Sequence, residues 1–280
     1  MKKILILGDR RKKRIRDTIA ELEPLFRKRA ALTITDLSEQ GETEDLTADI
    51  AFVFGGDGAI LAANRKLLGK QIPMIGVHMG KFGFLAELTP PAIDQSLEKI
   101  FSGKYVISER MLLSCQLLRS EKIIKKTIGL NDAVVSRTSF SRLISIKLYI
   151  NGSEANTYSC DGLILSTPAG STAHSLSAGG PILTPDLEAF LITPICPHTL
   201  TNRPLVVSSD SMIEMEQVSQ SKGVGLTVDG QIYVDLMAGD KIIVEKARER
   251  LQFVNTQTRT FYEVLRGKLN WRGQPTYDVN

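Results

Sequence analysis

The chain is poor in cysteine, histidine and aromatic side chains. Its three cysteines, Cys115, Cys160 and Cys196, are an odd number with no Cys-x-x-Cys spacing. That argues against a disulfide framework and against a zinc knuckle. Cys196-Pro197-His198 puts two metal-ligand types on one tight turn, but no second pair exists to complete a cage, and the segment reads as a structural turn. The histidines, His78, His174 and His198, are too scattered to form a ligand set, so no protein residue is assigned to a metal. Aromatic residues make up 6% of the chain, and none interleaves with the basic run Arg10, Arg11, Lys12, Lys13, Arg14 and Arg16, which disfavours nucleic acid as a partner. That run reads as a solvated helix face or loop; attraction of a polyanionic ligand is the sharper alternative. No apolar run approaches the roughly 20 residues of a membrane span. In "MKKILILGDRRKKR" the apolar run is too short for a signal sequence and no small-residue cleavage site follows. It reads as a first β-strand, and a cytoplasmic location is expected.

What is present is the composition of an ordinary soluble globular protein: 42% hydrophobic and 24% charged residues, with a net charge of +4. At 280 residues the chain can form one large domain or two moderate ones. Two textures divide it. Up to residue 104, continuous apolar runs alternate with helical patterns. Strands are expected at 3–8, 31–37, 49–56 and 73–80, and helices at about 11–29, 58–68 and 90–104. Apolar runs separated by helices predict a parallel sheet covered on both faces. From 105 to 257, alternating segments such as "LISIKLYING" (143–152), "GVGLTVDGQ" (223–231) and "DKIIVEKA" (240–247) predict short antiparallel strands. The stretch 259–271 is helical in texture, and the segment 258–280 is expected to rejoin the first domain. The fold class is therefore an α/β N-terminal domain with a parallel sheet plus a mostly antiparallel β C-terminal domain.

The familiar phosphate loops are missing. There is no G-x-G-x-x-G, and "GVHMGK" (76–81) is one residue short of a P-loop, with Phe82 where Ser or Thr is needed. In their place, "FVFGGDGAI" (52–60) ends an apolar run in Gly55-Gly56-Asp57-Gly58. In an open parallel sheet, ligands bind beyond the carboxyl ends of strands. Glycines admit close backbone approach, and a helix N-terminus favours phosphate oxygens. The bland reading is a strand-to-helix turn with Asp57 capping the helix. A second constellation runs from Asp161 to Ile182, where a short strand opens into some fifteen small residues. That suits a surface on which a flat or polyanionic ligand meets hydroxyls and backbone groups; an elaborate turn region is the alternative. Ser171 or Ser175 beside His174 has neither a partnered acid nor an elbow motif, which argues against nucleophilic catalysis.

Taken in order, these segments resemble the NAD kinase family over most of the chain. "GGDG" (55–58) is similar to its first signature, "GVHMGKFGFLAE" (76–87), "ERMLL" (109–113) and "NDAVVSR" (131–137) follow, and "STPAGSTAHSLSAGGPI" (166–182) is similar to its glycine-rich signature. "ITPICPHTLTNRPLVV" (192–207) and "TVDGQ" (227–231) complete the series. The resemblance implies phosphoryl transfer from ATP, or from polyphosphate, to the 2′-hydroxyl of the adenosine ribose of NAD, giving NADP. It makes Asp57 the proton acceptor, with Gly58 beside it at the dinucleotide. Asn131 and Asp132 would hold polar edges of adenine and ribose. Asp161, Thr172, Ala173, His174, Ser175, Leu176 and Ser177 would line the NAD pocket, with Arg142, Ser159 and Gln231 as further contacts. A divalent cation, Mg²⁺ by preference, would be held mainly by the nucleotide phosphates. The resemblance further implies a homo-oligomer, dimer or tetramer. Four departures stand out: Ala59 for a common threonine, His174 for a common tyrosine, Ser159 for a common arginine, and Asp132 for glutamate. The competing readings are another G-G-D-G kinase acting on lipid or sugar, and a dinucleotide-binding regulator without catalysis.

Overall fold

The structure, a computed structural model, describes residues 2–38, 46–80, 83–138, 143–219, 223–256 and 260–271. The chain divides into two compact units, Met1–Ser108 with Gln252–Asn280, and Glu109–Leu251. Its elements in the first stretch are β1 (Lys3–Gly8), α1 (Lys13–Arg29), β2 (Ala31–Asp36), β3 (Ile50–Phe54), α2 (Asp57–Lys66), β4 (Met74–Val77) and α3 (Ile93–Phe101). Then follow β5 (Val106–Arg119), β6 (Lys122–Gly129), β7 (Asp132–Arg137), β8 (Ile144–Ile150), β9 (Ser153–Cys160) and β10 (Gly162–Ser166). A short helix α4 (His174–Ser177) precedes β11 (Ala189–Ile195), β12 (Leu205–Ser208), β13 (Ile213–Gln217), β14 (Val224–Val228) and β15 (Ile232–Leu236). The long β16 (Lys241–Asn255) and α5 (Phe261–Leu269) close the order.

In the first unit the strands run β2-β1-β3-β4, all parallel, and the end of β16 joins β4 through Phe253 opposite Met74. All five residues of β3 are buried, as a strand covered on both faces requires. The helix α1 turns Ile15, Ile19 and Phe26 inward at helical spacing. Phe26 meets Phe52 edge-on with ring centroids 5.0 Å apart, and the core around them includes Ile4, Ile6, Phe54, Ile75, Leu97 and Val254. The expected helix at 90–104 begins as a 3-10 turn at Pro90–Ala92, and the two prolines are tolerated there because the first N–H groups of a helix have no intrahelical partner. The capping box between Thr260 and Glu263 starts α5.

The second unit is a β-sandwich. One sheet has the order β12-β11-β10-β7-β14-β15, every neighbour antiparallel. The other carries β16-β13-β8-β9, with β5 pairing both β16 and β6. Inward residues of both sheets form one core, with Leu113, Ile146, Leu148, Met215 and Val244 facing Val135, Leu163, Phe190, Ile192 and Leu226. The segment 143–152, read as one strand, is β8 plus the Asn151-Gly152 turn, where both residues have positive φ (52° and 78°). Among the described residues no helix is long and apolar enough to cross a membrane.

Candidate functional site

At the carboxyl end of β3 the chain turns through Gly55 and Gly56 into α2, whose first residue is Asp57. A Cβ on Gly55 would fall 2.5 Å from the Ala59 Cβ, so the turn closes against a small side chain at 59. Around Gly56 and Gly58 an added Cβ would meet nothing within 4 Å, which leaves the backbone of this loop open to a ligand. The Asp57 carboxylate is oriented by two backbone donors, Phe84 N–H at 2.9 Å and Leu85 N–H at 3.1 Å. Gly83 makes that approach possible, because a Cβ there would lie 1.9 Å from Asp57 Oδ1. The segment is tied to β4: Gly76 C=O accepts from Glu87 and Leu88 N–H, and His78 N–H donates to Leu88 C=O. A carboxylate has about four lone-pair sites, so two bonds leave capacity for a further proton or ligand hydroxyl.

In the second unit the turn before β7 carries Asn131 and Asp132. The Asn131 Oδ1 is buried and has no hydrogen-bond partner among the described residues. Buried polar atoms are nearly always paired, so this acceptor is available to a further donor, from water or from a ligand. Asp132 is 5% exposed. Burial, with the negative charge of Asp229 adding to it, pushes its carboxyl up to about 7. The small-residue run packs on this turn. Thr167 N–H donates to Asn131 C=O at 2.9 Å, and a Cβ on Gly170 would fall 2.1 Å from the same oxygen.

The run itself is more ordered than a loop. Residues Ala169–Thr172 form a 3-10 turn and His174–Ser177 the short α4. The Thr172 hydroxyl donates to Ala169 C=O at 3.2 Å, and Ala173 links the two turns. Ser175 is buried with its hydroxyl 2.8 Å from that of Thr193, and Ser171 donates to Pro168 C=O while accepting from Leu183 N–H. Both hydroxyls are thus held inside the fold. His174 and Ser177 are exposed and Leu176 is half-buried. Burial pushes the thiols of Cys115 and Cys160 up to about 12, which removes them as nucleophiles at neutral pH.

Of the other residues named from the sequence, Asp161 and Ser159 lie apart from this cluster. Asp161 sits at the far end of β10 from Ser166 and forms a two-point ion pair with Arg137, at 2.9 and 3.0 Å. Asp132 is opposite Ser166 and Ser136 is opposite Gly162, so about 13 Å of strand separates the two ends. Ser159 is exposed on β9, and its carbonyl accepts from His198 N–H. Gln231 is exposed just past the β14–β15 turn, with its N–H on Val228 C=O. Arg142 lies outside the described residues. Gly83, the Phe84 and Leu85 amides, Gly170, Arg137 and Asp229 lie inside segments quoted from the sequence but were not singled out as site residues. Gly170 had a signal in the small-residue run, and Asp229 in the Asp-Gly pair between apolar runs, which marks a hairpin turn.

No group of three or more His, Cys, Asp or Glu side chains converges among the described residues.

The raised Asp132 carboxyl has a consequence for stability. Its folded-state value, about 7, lies above the ordinary 3.8. Its contribution is therefore fully present below the ordinary value and is lost as pH rises through about 7. Urea unfolding at pH 5.5 and pH 8 should show the wild type losing on the order of 2 kcal/mol more than Asp132→Asn between the two. Equal losses in both proteins would refute the shift.

A carboxylate framed by glycines beyond a parallel strand, in a chain that also holds a polar orphan beside a glycine-rich turn, defines a protein that handles nucleotides. The comparisons specify which kind. The family described as ATP-NAD kinase matches twice, its N-terminal domain over residues 10–105 and its C-terminal domain over 130–256. A relative from Geobacter metallireducens named NAD kinase is 44% identical over 230 residues, covering 82% of this chain and 81% of its own. Another NAD kinase, from Desulforamulus reducens, is 38% identical over 250 residues, 89% of this chain and 87% of its own. Among solved structures, yeast NADH kinase complexed with NADH superposes with a TM-score of 0.83 at 25% identity, covering 99% of this chain and 90% of that one. An NAD kinase from Archaeoglobus fulgidus in complex with ATP gives a TM-score of 0.75 at 27% identity, covering 97% and 100%. The chain belongs to the NAD kinase family.

Proposed function

We propose that the chain transfers the terminal phosphoryl group of ATP to the 2′-hydroxyl of the adenosine ribose of NAD, giving NADP. The observation that carries this reading is the Asp57 carboxylate, aimed by two backbone amides and flanked by glycines that leave the loop open. Phosphoryl transfer requires positioning and charge neutralisation more than covalent help. Asp57 accepts the proton of the attacking hydroxyl as the bond to phosphorus forms, and Gly58 lies beside the dinucleotide. The ATP-borne divalent cation would supply neutralisation of phosphate charge.

Asn131 offers its unpaired Oδ1 to a donor on the dinucleotide. Asp132, with its carboxyl near 7, can accept from or donate to a ribose hydroxyl at neutral pH. Thr172, Ala173, His174, Leu176 and Ser177 line the pocket with their backbone and exposed faces, and Ser175 holds that wall through Thr193. His174 presents an imidazole face for stacking. Arg142 and Gln231 are further contacts. Asp161 and Ser159 are taken as further contacts of the dinucleotide, and the protein as a homo-oligomer. The exposed Cys196 thiol suits a reducing, cytoplasmic setting.

A coupled assay with NAD, ATP and Mg²⁺ tests the reading, with inorganic polyphosphate as the alternative donor. NADP should accumulate, and light scattering on the same preparation should give the mass of two or four chains. Well-folded protein that makes no NADP from either donor would overturn it in favour of a lipid- or sugar-directed kinase or of a dinucleotide-binding regulator.

A further inference from the structure

The turn between β14 and β15 is built on Asp229 and Gly230, both with positive φ (53° and 61°). The pairing of Val228 with Ile232 leaves three residues in the loop, and Gln231 N–H closes the turn on Val228 C=O; Asp-Gly suits its two positive-φ positions. Its first residue does more than turn the chain. The Asp229 carboxylate accepts three successive backbone N–H groups: Leu130 at 2.9 Å, Asn131 at 2.7 Å and Asp132 at 3.2 Å. The Asp229 N–H in return donates to Asp132 C=O at 2.9 Å. Gly129 leaves room for the carboxylate, since a Cβ there would fall 3.1 Å from Asp229 Oδ1 and 2.7 Å from a Val228 methyl.

From the opposite side Thr167 takes the carbonyls of the same turn, its hydroxyl donating to Leu130 C=O at 2.5 Å and its N–H to Asn131 C=O at 2.9 Å. Three peptide planes are thereby fixed by one anion and one threonine. What this clamp leaves unpaired is the Asn131 side-chain oxygen, buried and without a partner among the described residues. A site that recognises a ligand by hydrogen bonding depends on such an atom being held where the ligand's donor will come.

We propose that Asp229 is a positioning residue for dinucleotide recognition: from the hairpin tip it fixes the 130–132 turn so that Asn131 presents its Oδ1 to an amino group of the bound dinucleotide. This rests on the reading of Asn131 as an NAD contact. Asp229 itself touches no substrate in this scheme. Its negative charge also contributes to holding the Asp132 carboxyl protonated near neutrality.

The test compares Asp229→Ala, Asp229→Asn and Asn131→Ala by steady-state kinetics in NAD and in ATP, with thermal unfolding alongside. Asp229→Ala should raise KM for NAD about tenfold and leave kcat within about threefold and KM for ATP unchanged, the pattern of lost binding rather than lost chemistry. Asp229→Asn keeps one acceptor oxygen and should fall between wild type and Ala; it decides the question if the Ala protein does not fold. Asn131→Ala should raise KM for NAD by a similar factor, and the double variant should add little, because the two act as one unit. A folded Asp229 variant with lowered Tm but unchanged KM for NAD, beside an Asn131→Ala variant whose KM rises, would reduce Asp229 to a structural residue and overturn the proposal. An Asn131→Ala variant with wild-type KM would instead overturn the assignment of the pocket, and the proposal with it.

Discussion

Asp57→Asn is expected to lower kcat by about 10²–10⁴-fold, the usual worth of a positioned general base. NAD and ATP binding, measured directly by calorimetry, should stay within a few-fold of wild type. The argument is geometric. The carboxylate holds Phe84 and Leu85 N–H through its two oxygens at 2.9 and 3.1 Å. Asparagine keeps one oxygen, so one of those amides would face an NH₂ group and lose its acceptor. An unpaired backbone donor costs about 1–3 kcal/mol, so a small fall in Tm should accompany the loss of turnover. A stability effect of that size does not unfold a protein of typical stability, and binding remains measurable. Asp57→Glu separates charge from position: it keeps the anion but adds a methylene against Gly83, and it should be as impaired as the asparagine variant. Near-normal kcat in Asp57→Asn would remove Asp57 from the chemistry and leave it a strand-to-helix turn residue.

The first unit was the more legible in the sequence, for a physical reason. Three of its strands, β1, β3 and β4, are buried on nearly every residue and read as apolar runs such as "IAFVF", each followed by a helical pattern, whereas the edge strand β2, "ALTITD", is partly exposed. The hairpin of β5 and β6 falls in the stretch read as short antiparallel strands but is not marked individually, because "KIIKKTIG" lies mostly exposed and shows no clean alternation between a wet and a dry face. The candidate site was visible in the sequence at the Gly55–Gly58 turn and the run from 161 to 182, with Asn131 and Asp132 added by the resemblance. What orients them was not. Asp57 is held by peptide N–H groups of Phe84 and Leu85, and a backbone amide has no letter in a sequence. Asp229 and Asn131 are 98 residues apart, and only the pairing of β14 with β7 brings the hairpin tip to that turn. Equally, "DGLILSTPAG" shows Asp161 next to the small-residue run, yet β10 carries the two to opposite ends of a strand. Nearness along the chain is reversed by an extended strand as readily as it is preserved by a turn.

Gly83→Ala should inactivate the protein nearly as thoroughly as Asp57→Asn, although residue 83 contributes no side chain to the site. The alanine Cβ would lie 1.9 Å from Asp57 Oδ1, 2.5 Å from its Cγ and 2.7 Å from Oδ2, all inside van der Waals contact. The three nearest atoms all belong to the Asp57 side chain, and Gly83 is not among the glycines with positive φ. Relief therefore comes from rotating the Asp57 side chain rather than from moving the chain. Rotation takes the carboxylate off the Phe84 and Leu85 amides, at about 1–3 kcal/mol for each donor left unpaired, and away from its aimed direction, and misplacement by about 1 Å can cost on the order of 10²-fold in rate. The expected signature is a fall in Tm at least as large as that of Asp57→Asn, in a protein that still folds, with kcat down about 10²-fold or more. The double variant Gly83→Ala/Asp57→Asn supplies the decisive comparison. If glycine 83 acts only through the carboxylate, the double variant should be no slower than Asp57→Asn alone, whereas independent effects would multiply. Multiplication would mean that Gly83 shapes something other than Asp57, such as the approach of the donor phosphates. Full activity in Gly83→Ala would mean that the carboxylate does its work from a second orientation.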